Sequence, residues 1–136
     1  MKYLVDANVL SETTKPIPDA GAISWLRTHE RDLVVDPVIL GEIQFGILLV
    51  PKGRRRLLLE DWFSQVVLFI SCLAWDSSTG IRWAKLLARL RSAGLSMPVK
   101  DSLIAATALH NGLTLATRNT GDFAKTGVRL INPFLG

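Results

Sequence analysis

At 136 residues, 49% of them apolar and 21% charged, the chain is long enough for one domain with a real core, too short for two, and too apolar to remain disordered. A net charge of +4 suits a polyanionic partner such as RNA, DNA or an acidic peptide without choosing among them. The lone Cys72 excludes an intramolecular disulfide and argues against a thiolate zinc site, and the longest apolar run, Val66 to Trp75, is about half of what a membrane-spanning helix needs, so a soluble cytoplasmic protein with no membrane association is expected.

Met1 to Val5 reads as a short strand that stops on Asp6. In open α/β folds binding and catalysis gather at the carboxyl ends of strands, which makes Asp6 the first functional candidate; the competing reading is a cap on the helix that follows. Asn8 to Glu12 reads as a helical turn, Pro16 and Pro18 mark a loop, and Asp19 caps a helix through about His29 with Ile23, Trp25 and Leu26 inward. Leu33 to Val35 is a second strand. Asp36-Pro37 opens a helix to about Leu49, because Pro fits the first helical position and Asp accepts from free backbone amides. This helix carries Glu42 in its second turn, and Ile39, Ile43 and Gly46 beside it suggest an inward face, with Gly46 permitting close approach of another backbone.

Pro51 and Gly53 break the pattern before a helix from Arg54 to Val67, and Phe69 to Leu73 is strand-like, with Cys72 expected as a small core residue. Ser77 or Ser78 opens an amphipathic helix ending near Ala93-Gly94, with Ile81, Ala84, Leu87 and Leu90 or Leu86 inward. After a loop from Gly94 to Pro98, Asp101 to His110 reads as a helix rich in small residues, closed by Asn111-Gly112. Leu113 to Thr117 is a strand, Asn119 to Thr126 a loop or short helix, and Val128 to Asn132 a last strand. The alternation predicts a single three-layer α/β/α domain over residues 1–136, with a central, mainly parallel sheet of four or five strands.

Basic residues cluster at Lys52, Arg54, Arg55 and Arg56, and again at Arg82, Lys85 and Arg89, which share a helix face. Either cluster suits phosphates, and a solvated helix surface is the plainer reading of each. His29 and His110 are expected at the surface. Asp36 and Asp76 read as helix caps. Trp25, Trp62, Trp75 and Trp83, with the aliphatic excess, are more than one small core accommodates, which points to a homodimer face.

Four polar sites fall at element ends or inward helix turns: Asp6, Glu42, Asp101, and Asn119 with Asp122. Carboxylates buried together repel and lose hydration, so such a cluster needs a cation. Oxygen ligands without histidine or cysteine favour Mg²⁺, with Mn²⁺ as a substitute. A carboxylate-bound Mg²⁺ can acidify a water and neutralise a phosphate during in-line displacement.

The segments Leu4-Val5-Asp6-Ala7-Asn8-Val9-Leu10-Ser11, Glu42-Ile43-Gln44-Phe45-Gly46, Asp101-Ser102-Leu103-Ile104-Ala105-Ala106-Thr107-Ala108 and Ala116-Thr117-Arg118-Asn119-Thr120-Gly121-Asp122-Phe123 resemble the successive motifs of PIN-domain ribonucleases, most nearly the VapC-like toxins of bacterial toxin–antitoxin pairs. The resemblance extends to the terminal Ile131-Asn132-Pro133-Phe134. It implies a PIN-like fold, Asp6, Glu42 and Asp101 as the acidic metal site, an RNA substrate, and a cognate antitoxin that blocks the site. Two departures stand out. The family often has Thr or Ser where this chain has Ala7, and its fourth acid falls on the neutral Asn119, leaving Asn119 and Asp122 as equal candidates for that position. The leading expectation is therefore a Mg²⁺-dependent endoribonuclease with Asp6, Glu42, Asp101 and Asn119 or Asp122 at its site; the alternative, favoured by Asn119, is a catalytically degenerate RNA-binding or protein-interaction module. A phosphoacceptor enzyme fares worse, because Asn8 stands where a second Asp would be needed.

Overall fold

The computed structural model describes residues 2–135. Five short strands, β1 (Tyr3–Val5), β2 (Leu33–Val35), β3 (Ser71–Cys72), β4 (Thr114–Ala116) and β5 (Arg129–Ile131), pair in parallel in the order β3-β2-β1-β4-β5. Leu4 of β1 lies opposite Val34 on one side and Leu115 on the other. The three central strands are apolar on both faces, as a sheet covered on both sides requires, and Leu4, Val5, Val34, Val35 and Leu115 are buried. Burying each large aliphatic side chain contributes about 1.5–3 kcal/mol.

The connecting helices are α1 (Ala7–Leu10), α2 (Ala20–Thr28), α3 (Pro37–Leu48), α4 (Arg54–Gln65), α5 (Ser77–Ser92), α6 (Val99–Asn111) and α7 (Thr120–Phe123). The chain steps from β1 to β2 to β3 in one direction, then returns across β1 to lay down β4 and β5. With right-handed crossovers this reversal puts the helices of the two halves on opposite faces and makes the gap between the ends of β1 and β4 the place where open α/β sheets bind ligands. The expected three-layer architecture is present with five strands, all parallel.

Helix starts follow the sequence signals. Asp19, Asp36 and Asp76 accept from the amides of Ala22, Ile39 and Thr79 at 2.8, 2.9 and 3.1 Å. α6 begins at Val99, two residues ahead of expectation, because Pro98 supplies an extended N-cap; this puts Asp101 in the first turn. Gly112, at φ 63°, ends α6 in the left-handed conformation that glycine adopts without penalty. Among the described residues no helix is long and apolar enough to cross a membrane.

Several side-chain expectations need correction. Cys72 is exposed: the apolar run from Val66 breaks into a helical turn and a two-residue edge strand, so it never reaches the core. The buried stripe of α5 is Leu86 and Leu90 flanked by the half-buried Trp83 and Leu87, whereas Ile81 is 60% exposed and Ala84 also faces solvent. Trp83 sets this rotation by donating its indole N–H to the Ser102 hydroxyl of α6 at 2.9 Å. A methyl group added at Gly46 would touch nothing, so no backbone approaches there. His29 is half-buried, stacked on Trp25 at 4.5 Å between ring centres, with Nδ1 2.9 Å from the Trp25 carbonyl. The tryptophans pack within the domain, Trp25 buried and Trp62, Trp75 and Trp83 half-buried. The apolar surplus at the surface is made instead of residues such as Phe45, Leu49, Leu57, Leu58 and Phe69.

Candidate active site

β1 ends at Val5, and the next residue, Asp6, is buried at the switch point of the sheet. Its Oδ1 accepts from the Ala7 amide at 2.8 Å, so Asp6 does cap the helix that follows, and the same carboxylate remains the site candidate. Its Oδ2 accepts from the Thr117 hydroxyl, just past β4, at 2.8 Å. Asn8 closes the corner: its side-chain amide reaches Asp6 and Thr117 at 3.4 Å each, while its carbonyl accepts from the Arg118 amide at 3.1 Å. The Thr117 hydroxyl also accepts from the Asn119 amide at 3.1 Å. Ala7 leaves this corner without a hydroxyl of its own, and Thr117 provides one from the neighbouring strand.

Glu42 projects from the second turn of α3 and is half-buried. Its Oε2 accepts from the Lys100 ammonium at 2.7 Å, while Oε1 is buried with no hydrogen-bond partner. Asp101, in the first turn of α6, is half-buried. Burial pushes the Asp6 carboxyl above its ordinary value; the Thr117 hydrogen bond opposes the rise, and the charges of Glu42 and Asp101 add to it. Asp101 is raised too, chiefly by burial, with Lys100 pulling the other way and Asp122 and Glu42 repelling. The Lys100 hydrogen bond to Glu42 holds its ammonium charged to higher pH than usual.

The acids singled out in the sequence therefore lie within one electrostatic neighbourhood. Among the described residues, no group of three His, Cys, Asp or Glu is gathered closely enough to chelate an ion directly. Like charges spread when no cation screens them, and here an ammonium has taken a place beside Glu42. Asp122, exposed on α7, repels Asp101 and so belongs to the acid group. Asn119 is exposed and its side chain does not cap the helix it precedes; its part in the site is its backbone amide.

A groove of about 330 Å³ opens beside Glu42, with Asn8, Ser11, Arg55 and Trp62 among its lining residues. Arg55 is exposed at the start of α4 and donates to the Thr14 carbonyl at 3.0 Å, which fixes one basic cluster on the rim of the acids. The second cluster is split: Arg82 and Lys85 face solvent, whereas Arg89 donates to the Thr126 carbonyl at 2.6 Å and ties α5 to the segment before β5. Sequence reasoning missed Asn8, Thr117 and Lys100. Lys100 was findable as the neighbour of Asp101; the other two depend on β1 and β4 lying side by side.

Residues 3–128 match the PIN domain family. The chain belongs to that family. The plasmid stability protein StbB of Pseudomonas syringae pv. tomato is 36% identical over 96% of this chain and 97% of its own length. The VapC ribonuclease Y4jK of Sinorhizobium fredii is 30% identical, with 96% of each chain covered. The crystal structure of FitAcB from Neisseria gonorrhoeae superposes on this PIN domain with a TM-score of 0.90 at 29% identity, covering 97% of this chain and 98% of the other; the toxin FitB of that organism is 29% identical over 96% of this chain and 97% of its own length. The VapC-like resemblance read from the four motifs thus agrees with full-length relatives, and the acids occupy the end of the PIN sheet where its topology puts a site.

Proposed function

We propose that this PIN domain is a Mg²⁺-dependent endoribonuclease acting in the cytoplasm as the toxin of a toxin–antitoxin pair. The observation that carries the reading is the buried Asp6 at the switch point, with Glu42 and Asp101 both raising its pKa. The names of the relatives, a VapC ribonuclease and a FitB toxin among them, support it. The donor set suits a hard divalent ion: every candidate ligand atom is oxygen, Glu42 Oε1 is buried without a partner, and the Lys100 ammonium already stands in as a cation. Mg²⁺ is commonly held through one or two carboxylates with waters completing its shell, so Asp6, Glu42 and Asp101 need not all touch it. When bound, the ion would supply an acidified water and charge neutralisation at the phosphate.

The remaining work falls to this chain's own side chains. Thr117 and Asn8 hold the Asp6 carboxylate in one orientation, so that its oxygens need no rearrangement. Glu42, with a free oxygen, is placed to orient or deprotonate a water. Asp122 rather than Asn119 supplies the fourth acid, since its charge is felt by Asp101. Arg55, with Arg54 beside it, binds flanking phosphates of the RNA along the groove next to Glu42. The exposed Phe45, Leu48, Leu57 and Leu58 on α3 and α4 support protein partners, read as a cognate antitoxin and a second copy of the chain.

The test is cleavage of single-stranded RNA by the purified chain with Mg²⁺ and with a chelator. Cleavage should require the ion, and Asp6→Asn should abolish it; activity that survives either change refutes the mechanism. The degenerate-module reading predicts RNA binding without cleavage under all of these conditions.

A further inference from the structure

Lys100 sets an ammonium inside the acid group that the proposed function assigns to a metal ion. Its Nζ lies 2.7 Å from Glu42 Oε2, it immediately precedes Asp101, and the other Glu42 oxygen is buried and unpartnered. The Lys100 side chain is 51% exposed, so its head can swing into solvent on a four-carbon stem without disturbing the core. We propose that Lys100 is a built-in competitor for the divalent ion, holding Glu42 in the metal-free protein and leaving that carboxylate when the ion arrives. This rests on the reading of Asp6, Glu42 and Asp101 as the ion's site.

The physical reason is charge. Three carboxylates that feel one another's charge are unfavourable without a cation, and a single ammonium relieves part of that repulsion. An incoming ion held by the Glu42 carboxylate sits near a like charge, so Lys100 must leave that carboxylate for the ion to bind at full strength. Lys100 thereby neutralises Glu42 before loading, at the expense of ion affinity. Lys100 is a positioning residue in this account, and the effect is read on binding of the ion by itself.

The experiment is calorimetric titration of the purified full chain with MnCl₂, comparing wild type, Lys100→Met, Lys100→Arg, Glu42→Gln and the Lys100→Met/Glu42→Gln double variant, each checked for folding by circular dichroism. Lys100→Met should bind Mn²⁺ about two- to fivefold more tightly, the upper part of the range that loss of one largely exposed ion pair supplies. Lys100→Arg, which keeps the charge, should stay within about twofold of wild type. In the Glu42→Gln background the gain from Lys100→Met should disappear, since the negative charge that the two cations compete for is gone. If Lys100→Met fails to fold, Lys100→Gln carries the same expectation. Equal or weaker binding by the neutral variants, with wild type binding Mn²⁺, overturns this proposal and leaves the metal-site reading standing. No binding by either wild type or the neutral variants overturns both.

Discussion

The sharpest perturbation of the site is Thr117→Val, which removes one hydroxyl and keeps the shape. Thr117 is fully buried, so the isosteric change opens no cavity, and the effect isolates what the hydroxyl does. It donates to Asp6 Oδ2 at 2.8 Å and accepts from the Asn119 amide at 3.1 Å, with the Asn8 amide more distant at 3.4 Å. A hydrogen bond to an ionised group contributes about 1.5–3 kcal/mol, and a newly orphaned amide costs about 1 kcal/mol more. Because Asp6 is buried, solvent cannot replace the lost donor, and a total near 3 kcal/mol is expected at neutral pH without divalent ions. With an unfolding entropy of about 0.3 kcal/mol/K for 136 residues, this lowers Tm by about 10 °C. The pH dependence supplies the second arm. The Thr117 bond lowers the Asp6 pKa, so the variant's carboxyl sits higher than wild type's, and both sit above the ordinary value of 3.8. The full penalty therefore holds above both folded values and shrinks as pH falls through them toward 3.8, where a protonated carboxyl has lost only a neutral hydrogen bond worth about 1 kcal/mol. Urea unfolding across this range measures the gap, and Thr117→Ser should restore most of it. A loss under about 0.5 kcal/mol at neutral pH, or a gap independent of pH, refutes the assignment of Thr117 as the donor that holds Asp6.

Asp6→Asn should raise stability in metal-free buffer at neutral pH: the folded pKa of Asp6 is raised, so its contribution to stability is present below 3.8 and is lost as pH rises through the folded value. Chemical unfolding followed from below pH 3.8 up to neutral pH should show the advantage of Asn growing with pH, and a difference unchanged over that whole span would contradict burial as the cause. Mg²⁺ at about 100 times its Kd should stabilise wild type by about 2.7 kcal/mol in thermal unfolding and should leave Asp6→Asn nearly unmoved; equal shifts in both proteins would detach the ion from Asp6. Arg55→Ala should weaken RNA binding and make the log–log salt slope shallower by about one ion, read by fluorescence anisotropy between 50 and 200 mM salt. An unchanged slope would remove Arg55 from the RNA path.

What the sequence could show was whatever short-range chemistry decides. Asp19, Asp36 and Asp76 announce helix starts because a cap is a contact over three residues, and all three cap as expected. Strand ends were legible for β1 and β4 because an apolar run stops on a polar residue, and the alternation of elements carries the layer architecture. The orientation of α5 was not legible: its stripe is set by Trp83 reaching Ser102 nineteen residues away, and Ile81 loses to it despite matching the period. Cys72 was misread because an apolar run from Val66 to Trp75, broken only by Ser71, looks like core, whereas only Val67 in it is buried, inside a helical turn, and Cys72 lies in a two-residue edge strand. Lys100 exerts its effect through Glu42, 58 residues earlier, and no local pattern connects the two.

Asp36 is the control that shows what sets Asp6 apart as the site candidate. Each follows an apolar strand, each caps the next helix, and each receives a hydroxyl from a distant threonine, Thr107 at 2.6 Å for Asp36 and Thr117 at 2.8 Å for Asp6. Both are buried, and burial raises the pKa of both. Neither burial nor a perturbed pKa therefore separates a cap from a site. The separation lies in the neighbours. Glu42 is the weakest influence on Asp36, whose oxygens are taken by the Ile39 amide and by Thr107 on the inner side of α6, itself in contact with the Trp75 indole. Asp6 is repelled by both Glu42 and Asp101, and the first of these has an oxygen left without a partner. The difference is topological: β2 has strands on both sides that were laid down in the same half of the chain, while β1 borders the reversal at β4, where loops from both halves bring their charges together. Repulsion of this kind is relieved by a bound cation, which is why the proposed metal site is centred on Asp6 rather than on Asp36.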